Sequence, residues 1–135
     1  MKIIHKIAAV CIKDNKFLMV RKKGKDIWTN LGGKIENGET EEEALLREIK
    51  EEVDCDSEII KKLGDFEAKA VFDDAIVRLS FYLVNLKGKI RLADDELEEV
   101  KFISKDYRKE NIKLPEESME KQVIPFLIKN KLLNW

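Results

Sequence analysis

Histidine and cysteine are scarce in this sequence. His5 is the single histidine, and Cys11 and Cys55 are the two cysteines. A zinc site or a histidine-based catalytic triad therefore has few residues to use, and we expect His5 to be a strand residue without a catalytic role. Cys11 lies in an apolar run and Cys55 stands where the local pattern requires an apolar residue. Buried free thiols are therefore favoured over a disulfide or a metal-binding pair.

Long apolar runs and an excess of one charge are also missing. No apolar run approaches the roughly 20 residues that a membrane-spanning helix needs, and residues 1–6 are too highly charged for a signal peptide. We therefore expect a cytoplasmic protein with no membrane partner. The 26 basic and 27 acidic side chains nearly cancel. This balance argues against the basic surface that is typical of nucleic-acid-binding proteins.

The length of the chain limits the number of domains. A chain of 135 residues can bury one proper hydrophobic core but is too short for two comfortable domains. The sequence contains no internal repeat, no low-complexity stretch and no linker. We therefore predict one domain that comprises residues 1–135.

The most informative stretch runs from residue 33 to residue 55 and reads GKIENGETEEEALLREIKEEVDC. The Asn-Gly pair at 37–38 predicts a turn, and Thr40 with Glu43 three residues later forms a capping box that predicts a helix start. Four apolar side chains then recur at helical spacing and predict one buried stripe. These are Leu45, Leu46, Ile49 and Val53.

Three glutamates of this helix, Glu48, Glu51 and Glu52, share a second face because they stand at i, i+3 and i+4. Like charges at that spacing cost roughly 0.2–0.5 kcal/mol per pair in an isolated helix. A hard divalent cation such as Mg²⁺ would reverse this penalty, because it binds clustered carboxylate oxygens. A solvated helix face is the alternative, and for these three residues alone it stays open.

The wider spacing resembles the Nudix box, G-x5-E-x7-R-E-U-x-E-E-x-G-U, in which U is apolar. Each fixed letter has about a one-in-fifteen chance of matching at random. One position departs, because Asp54 stands where the family has glycine. That glycine would end the helix in the left-handed region, which Asp visits at modest cost, so we interpret the departure as structural. The six matching positions are Gly33, Glu39, Arg47, Glu48, Glu51 and Glu52.

Strand patterns precede and follow this helix. The first two strands read as a hairpin around a turn at residues 14–15, and residues 64–65 predict a second turn. A last helix is expected to have Pro115 at its first position and to kink or split at Pro125. This order predicts an α+β domain with a mixed sheet between helices, and the resemblance implies the α/β/α sandwich of the Nudix fold. The strand patterns cover residues 4–12, 17–20, 27–31, 58–63, 66–72, 76–86, 90–92 and 100–104, and the last helix covers residues 115–129.

The resemblance also implies a chemistry. Nudix enzymes hydrolyse a nucleoside diphosphate linked to another group, X, and they use Mg²⁺, for which Mn²⁺ can substitute. By this resemblance Glu51 and Glu52 are metal ligands, and Glu48 is either a ligand or the base for the attacking water. Arg47 would hold a catalytic carboxylate in place through a charge-assisted hydrogen bond.

Further site residues follow from the same resemblance. Glu39 would orient the loop, the substrate or a metal-bound water, and the backbone carbonyl of Gly32 would lie near the metal. Residues 32–40 look like the MutT-like branch of the family, whose members often add a metal-binding glutamate before a late strand. The segment at 96–102 resembles that region and nominates Glu96, although a charged strand approach is an equal alternative.

Basic residues near the box are candidates for substrate binding. Arg21 and Lys22 end the second strand and Lys34 follows the Gly-Gly pair, where they can either be solvated or contact substrate phosphates. Markers of other Nudix branches are missing, because neither residues 70–73 nor residues 114–117 carry the expected side chains. The favoured reaction is therefore cleavage of a nucleoside triphosphate to a monophosphate and pyrophosphate.

Two alternatives to a hydrolase remain. A Nudix-fold module that binds nucleotides or regulates without catalysis usually loses a glutamate of the box, whereas this sequence retains all of them. An acidic protein-interaction domain would need a sizeable exposed apolar patch. A small nucleotide is the expected partner, and the protein is expected to be a monomer or a homodimer.

Overall fold

A computed structural model describes residues 2–70 and 73–135 of the chain. In these residues eight strands form two four-stranded sheets. The strands are β1 (Lys2–Val10), β2 (Ile12–Lys13), β3 (Lys16–Lys22), β4 (Trp28–Thr29), β5 (Gly32–Lys34), β6 (Asp56–Lys69), β7 (Ala75–Lys87) and β8 (Leu97–Ile103).

The first sheet is mixed, as the sequence predicts. Its order is β5-β1-β7-β6, with β1 and β7 parallel and the other two pairs antiparallel. Strand β1 is therefore central, and its side chains alternate between the two faces. The odd-numbered residues Ile7 and Ala9 pack on the side of the first helix, whereas Ala8 and Val10 pack on the side of the last helix.

The second sheet is organised around β3. Phe17 and Arg21 each pair with β8 on one side, so β2 and β4, which pair with the same two residues, must share the other edge. The predicted turn joins β2 to β3, with Asp14 and Asn15 at φ 52° and 60°. Asp and Asn are the non-glycine residues that best tolerate this left-handed region, so the local turn prediction is confirmed.

Helix α1 spans Glu41–Val53 and has both predicted ends. Thr40 and Glu43 form the full capping box, and Asp54 is the C-cap residue at φ 55°, ψ 35°. The predicted apolar stripe is wrong at one position, because Leu46 is 41% exposed. Glu52 takes its place on the buried side. The buried helix residues are Ala44, Leu45, Ile49, Glu52 and Val53.

The last helix covers the opposite face of the first sheet. It begins in π-helical geometry at Glu116–Val123 and continues as α2 (Ile124–Lys129), so the change of geometry comes one residue before Pro125. Pro115 is the N-cap residue and not the first helical residue that the sequence suggests. Met119 packs with Phe81 of β7 in the core on this face. The helices thus enclose the mixed sheet, which confirms the predicted sandwich.

Several strand predictions are wrong. The strand predicted at residues 4–12 divides at Cys11 into β1 and β2, which belong to different sheets. Strand β6 runs straight through Gly64, where bulges in its pairing with β7 replace the predicted turn. Residues 32–34 form β5, where no strand was predicted, and residues 90–92 form no strand. Part of one predicted strand, at 71–72, lies outside the described residues. Each error concerns long-range pairing, which local turn signals such as Gly-Asp do not report.

The remaining local predictions concern single residues. Both cysteines are buried and free, and His5 is a strand residue, as expected. His5 Nε2 lies 2.9 Å from Ser80 Oγ, and Ser80 donates to Asp65 Oδ1 at 2.7 Å. No helix in residues 2–70 and 73–135 is long and apolar enough to cross a membrane.

Candidate active site

A cleft of about 280 Å³ is lined by both sheets, by α1 and by the start of the C-terminal helix. It carries carboxylates on α1 and on the segments that precede β7 and β8, and ammonium groups on β1, β3, β5 and β6. Opposite charges therefore line one opening, as a site for a phosphate ester and a cation requires. The acidic lining residues are Glu48, Glu52, Asp73, Asp94 and Glu96, and the basic ones are Lys6, Lys22, Lys34 and Lys69.

Glu52 is the most deeply placed of these carboxylates. It is only 7% exposed, and the backbone N–H of Gly32 donates to its Oε1 at 2.8 Å. Burial raises the pKa of Glu52 to about 8, against the lowering effect of the Gly32 hydrogen bond. The nearby carboxylates of Glu48 and Asp94 raise that pKa further. A buried carboxylate with one hydrogen bond needs either a proton or a cation at neutral pH.

The Gly-Gly pair brings the backbone of β5 against β1 and α1. Gly32 has φ 142°, and a Cβ there would lie 2.0 Å from the carbonyl oxygen of Ile7. A Cβ on Gly33 would lie 2.6 Å from the Glu48 carboxylate. A side chain at Gly32 would clash with backbone, and one at Gly33 would displace the Glu48 carboxylate. The first glycine therefore permits strand pairing, and the second leaves room for Glu48.

Arg47 connects the loop before α1 with the glutamates on it. Its Nε and Nη2 donate to both carboxylate oxygens of Glu39, at 2.6 and 2.9 Å. Its Nη1 donates to Glu48 Oε1 at 3.0 Å and to Glu51 Oε2 at 3.2 Å. The paired bonds raise the pKa of Arg47 and lower that of Glu39. Arg47 therefore fixes the position of Glu48 relative to the loop.

Glu48 lies half-buried between this arginine and the cleft. Burial raises its pKa, and the hydrogen bond from Arg47 opposes that rise. Arg47 binds Oε1, and no described residue donates a hydrogen bond to Oε2. Glu48 thus presents one occupied and one available oxygen beside Gly33.

The segment before β8 supplies two further carboxylates. Ala93 N–H donates to the carbonyl of Glu52 at 3.0 Å, and this bond brings the segment to the C-terminal end of α1. Asp94 and Glu96 both line the cleft. Glu96 was nominated from the sequence, whereas Asp94 was missed. The signal for Asp94 was the acidic run at 94–96, of which the sequence resemblance selected only one residue.

Four predicted site residues lie outside the cleft lining: Glu39 and Arg47, which bind each other at the loop before α1, and Arg21 and Glu51. Arg21 donates to Glu99 Oε1 at 2.7 Å and to the Lys25 carbonyl at 2.9 Å, so its guanidinium is bound to β8 and to its own loop. Glu51 has a side chain that is 55% exposed and contacts Arg47. Neither contributes to the cleft lining, whereas the predicted residues Gly32, Lys22 and Lys34 do.

Lys6 is a cleft residue that the sequence analysis missed. It lies on β1 opposite Lys34 of β5. Its signal was a lysine at an even position of β1 between apolar residues at the neighbouring even positions, Ile4 before it and Ala8 after it. The far wall beyond Lys6 is apolar, and its lining includes Ala68, Ala70, Val77, Leu79 and Pro115.

The donor types of this site fit a hard divalent cation. All candidate side chains are carboxylates, and Mg²⁺ and Mn²⁺ bind oxygen ligands. Within residues 2–70 and 73–135, no three His, Cys, Asp or Glu side chains lie close enough together to form a ready metal site. The carboxylates of Glu48, Glu52 and Asp94 would therefore have to converge on a cation when it binds.

A sequence model of the NUDIX domain matches residues 4–121 of the chain. An ADP-ribose pyrophosphatase from Methanocaldococcus jannaschii is 33% identical over 90 residues, which cover 64% of this chain and 53% of that protein. A CTP pyrophosphohydrolase from Escherichia coli is 32% identical over 63 residues, 44% of this chain and 47% of the relative. An 8-oxo-dGTP diphosphatase from Proteus vulgaris is 36% identical over 88 residues, which cover 62% of this chain and 77% of that protein. The match spans about half the length of the first two relatives.

Solved structures share the fold. A UDP-X diphosphatase superposes with a TM-score of 0.79 at 20% identity, over 97% of this chain and 64% of the other. A MutT protein from Methanosarcina mazei Go1 gives a TM-score of 0.78 at 19% identity and covers 96% of both chains. At these identities the likeness supports the architecture and not a substrate.

Proposed function

The chain belongs to the NUDIX domain family, and on that premise we propose that it is a divalent-metal-dependent pyrophosphohydrolase. Its substrate is a nucleoside diphosphate linked to a group X, and the proposed reaction converts a nucleoside triphosphate to a monophosphate and pyrophosphate. Mg²⁺ is the proposed cofactor, and Mn²⁺ is a possible substitute.

The observation that carries this proposal is the placement of Glu48 and Glu52 against the Gly32–Gly33 backbone inside the cleft. The buried carboxylate of Glu52 needs a proton or a cation at neutral pH, a bound metal ion would supply the cation, and lysines line the same cleft. The anionic oxygens of a diphosphate can bind both that cation and the lysines.

We assign the proposed metal site to the Gly32 carbonyl and to carboxylates around it. A bound Mg²⁺ would neutralise the diphosphate and polarise the phosphorus that water attacks. Glu52 and Glu48 hold their positions without a cation, through the Gly32 N–H and Arg47 respectively. Glu51 is exposed and lies outside the cleft lining, so its side chain has to turn to reach the cation. Glu96 and Asp94 line the cleft, and Asp94 is near enough to raise the pKa of both Glu48 and Glu52.

Glu48 is the proposed acceptor of the proton from the attacking water. Its Oε2 has no described hydrogen-bond donor, and Arg47 orients the carboxylate by holding Oε1. The water oxygen forms a bond to one phosphorus of the internal anhydride, the bond from that phosphorus to the bridging oxygen breaks, and the second phosphate group leaves with the bridging oxygen. One water is consumed, and the proton passes to Glu48.

Names of the relatives support a nucleotide substrate. Two of the three relatives are named for nucleoside triphosphates, CTP and 8-oxo-dGTP, and the third for ADP-ribose. All three names describe cleavage of a phosphoanhydride. The triphosphate is our choice because several ammonium groups line the cleft.

A phosphate-release screen tests the proposal. Nucleoside triphosphates, nucleotide sugars and ADP-ribose are incubated with Mg²⁺ or Mn²⁺, and products are separated by mass spectrometry after reaction in ¹⁸O water. We expect pyrophosphate and monophosphate from triphosphates, with ¹⁸O in one of them. Orthophosphate as the primary product contradicts the proposal, and binding without turnover of any of these compounds favours the non-catalytic nucleotide-binding module.

A further inference from the structure

Lys6 occupies an unusual position for a lysine. It lies in the middle of β1, the central parallel strand of the mixed sheet, between Ile4 and Ala8 on the face that packs against the last helix. Its neighbour across β7 is Leu79, and its neighbour across β5 is Lys34. The side chain therefore rises from an apolar wall into the cleft.

The ammonium group of Lys6 has no partner among the described residues. No hydrogen bond or ion pair joins it to any side chain or carbonyl in residues 2–70 and 73–135. Lysine has three donors and no acceptor, and a half-buried ammonium without an acceptor loses hydration that nothing replaces. The lost hydration lowers the stability of the fold, and a bound ligand that accepts hydrogen bonds from the ammonium group can restore it.

Like charges surround Lys6 on the neighbouring strands. Burial lowers the pKa of Lys6 most, and the ammonium groups of Lys22 and Lys34 lower it further, while Asp73 and Glu48 partly offset this effect. Three cations on β1, β3 and β5 thus face one cleft. Their mutual repulsion falls when a ligand with dense negative charge binds between them.

We propose that Lys6 is a specificity-determining residue, which binds phosphate oxygens of group X and selects substrates in which X is a further phosphate. This inference rests on the proposed hydrolysis of a nucleoside diphosphate linked to X. A neutral sugar in place of that phosphate offers Lys6 only hydroxyl oxygens, which carry no negative charge to offset that of its ammonium group. Arg21, which the sequence analysis nominated for substrate binding, differs from Lys6 because its guanidinium already donates to Glu99.

Binding of an inorganic anion tests the role of Lys6 without catalysis. Tripolyphosphate is titrated calorimetrically in EDTA into the wild type, Lys6→Met, Lys6→Arg and the control Lys13→Met, whose exposed lysine on β2 lies outside the cleft. We expect Lys6→Met to weaken binding by about tenfold or more, since one hydrogen bond to a charged group is lost. Lys6→Arg should retain most of the affinity, and Lys13→Met should equal the wild type.

The substrate ratio provides the second readout. In Lys6→Met, kcat/KM for UTP should fall by about tenfold relative to kcat/KM for UDP-glucose, and Lys6→Arg should restore the wild-type ratio. Melting temperatures establish that each variant is folded. Methionine is an unbranched side chain one atom shorter than lysine and suits the apolar wall, so unfolding is not expected.

The outcomes separate the two proposals. Any one of three results overturns the role of Lys6, whether or not hydrolysis is found. In Lys6→Met, turnover of UTP and of UDP-glucose falls equally, or the affinity for tripolyphosphate is unchanged. In the third, the wild type does not bind tripolyphosphate. If the wild type hydrolyses neither substrate, the hydrolase proposal fails, and the calorimetric comparison alone decides whether Lys6 binds phosphate.

Discussion

Glu52 belongs to the core and to the cleft at the same time. Its neighbours Ile49 and Val53 are fully buried, and it is 7% exposed itself. The hydrogen bond from Gly32 is the one that its carboxylate accepts among the described residues. The side chain therefore contributes little to the stability of the metal-free fold, and its burial has a functional explanation, in the proposed metal site.

Glu52→Gln should remove most activity and leave the fold intact. The amide retains an oxygen that accepts the Gly32 N–H, but it lacks the charge that a cation needs. We expect turnover to fall by roughly 10²–10³, comparable to the loss of a key electrostatic group. Steady-state assays at saturating Mg²⁺ measure the turnover rate. Glu42→Gln, on the exposed side of α1, is the matched control. A Glu52→Gln rate above half that of wild type would show that the metal assignment is wrong.

Gly33→Ala tests the position of Glu48 by a steric route. The new Cβ would lie 2.6 Å from the Glu48 carboxylate, which is the end of a flexible side chain and can move away. Stability should therefore change little, while activity falls by at least about tenfold. Gly32→Ala is the contrasting variant, because its Cβ meets the Ile7 backbone at 2.0 Å and should destabilise the whole domain. An active Gly33→Ala enzyme would argue against a role for Glu48.

Single residues were the hardest features to predict. The box glutamates were found by spacing, but their depth was not, because periodicity alone placed Leu46 inside and Glu52 beside the core. Lys6 was missed since a lysine in a strand looks solvated until its neighbours are known. Arg21 was nominated for its charge, and only the pairing of β3 with β8 shows that Glu99 binds it.

At the scale of elements, α1 carries local signals at both of its ends. The capping box satisfies two backbone N–H groups at the start, and the left-handed Asp54 ends the last turn. The start of α1 is also tied to the sheet, because Tyr82 O–H donates to Glu41 at 2.6 Å and Lys62 donates at 3.0 Å. The helix that carries the glutamates is thus fixed by its termini as well as by its apolar side.

Thr40→Ala should destabilise the domain by about 1 kcal/mol, because the first turn loses the side-chain acceptor of the Glu43 N–H. Urea unfolding monitored by circular dichroism measures the difference. Thr29→Ala on β4 is a control that leaves the cap unchanged. If both variants unfold at the same urea concentration as the wild type, the capping box contributes nothing measurable.

Strands were predictable where their signals were local. The turn at 14–15 and the alternation of β7 depend on residues that are close in sequence, and both were predicted correctly. The continuity of β6 through Gly64 depends on the partner strand, whose length accommodates the bulges. Strand β5 was missed for the same reason, since a Gly-Gly pair reads as a loop until β1 is placed beside it.

The whole molecule is a sandwich with a hydrophobic core on each face of the mixed sheet, and residues of both cores help to line the cleft. One core joins α1 to the sheets, and the other joins the last helix to the opposite face of the mixed sheet. Fold class was predictable because the order of elements and the box spacing both indicate it. The cleft was not, because its lining comes from distant parts of the sequence that meet only in three dimensions.

Divalent cations should raise the melting temperature, and EDTA should not unfold the protein. Binding to the native state alone adds about 2.7 kcal/mol to the free energy of unfolding at a hundredfold excess over Kd. Differential scanning fluorimetry with millimolar Mg²⁺, Mn²⁺ or EDTA, with and without nucleotide, measures the shift. Glu52→Gln should lose most of it, whereas Glu42→Gln should retain it. A wild-type melting temperature that no cation changes would favour a solvated role for these glutamates.

The two backbone bonds from residues 91–93 to the end of α1 constrain how this loop can be lengthened. The backbone N–H groups of Arg91 and Ala93 donate to the carbonyls of Val53 and Glu52, both at 3.0 Å. These two hydrogen bonds fix the position of residues 91–93 relative to the C-terminal end of α1. Insertions near Gly88, which faces open space, can be absorbed before that register begins. An insertion after Ala93 would displace Asp94 and Glu96 from the cleft. For protein engineering, a reporter peptide or an affinity tag therefore belongs at the turn that follows β7.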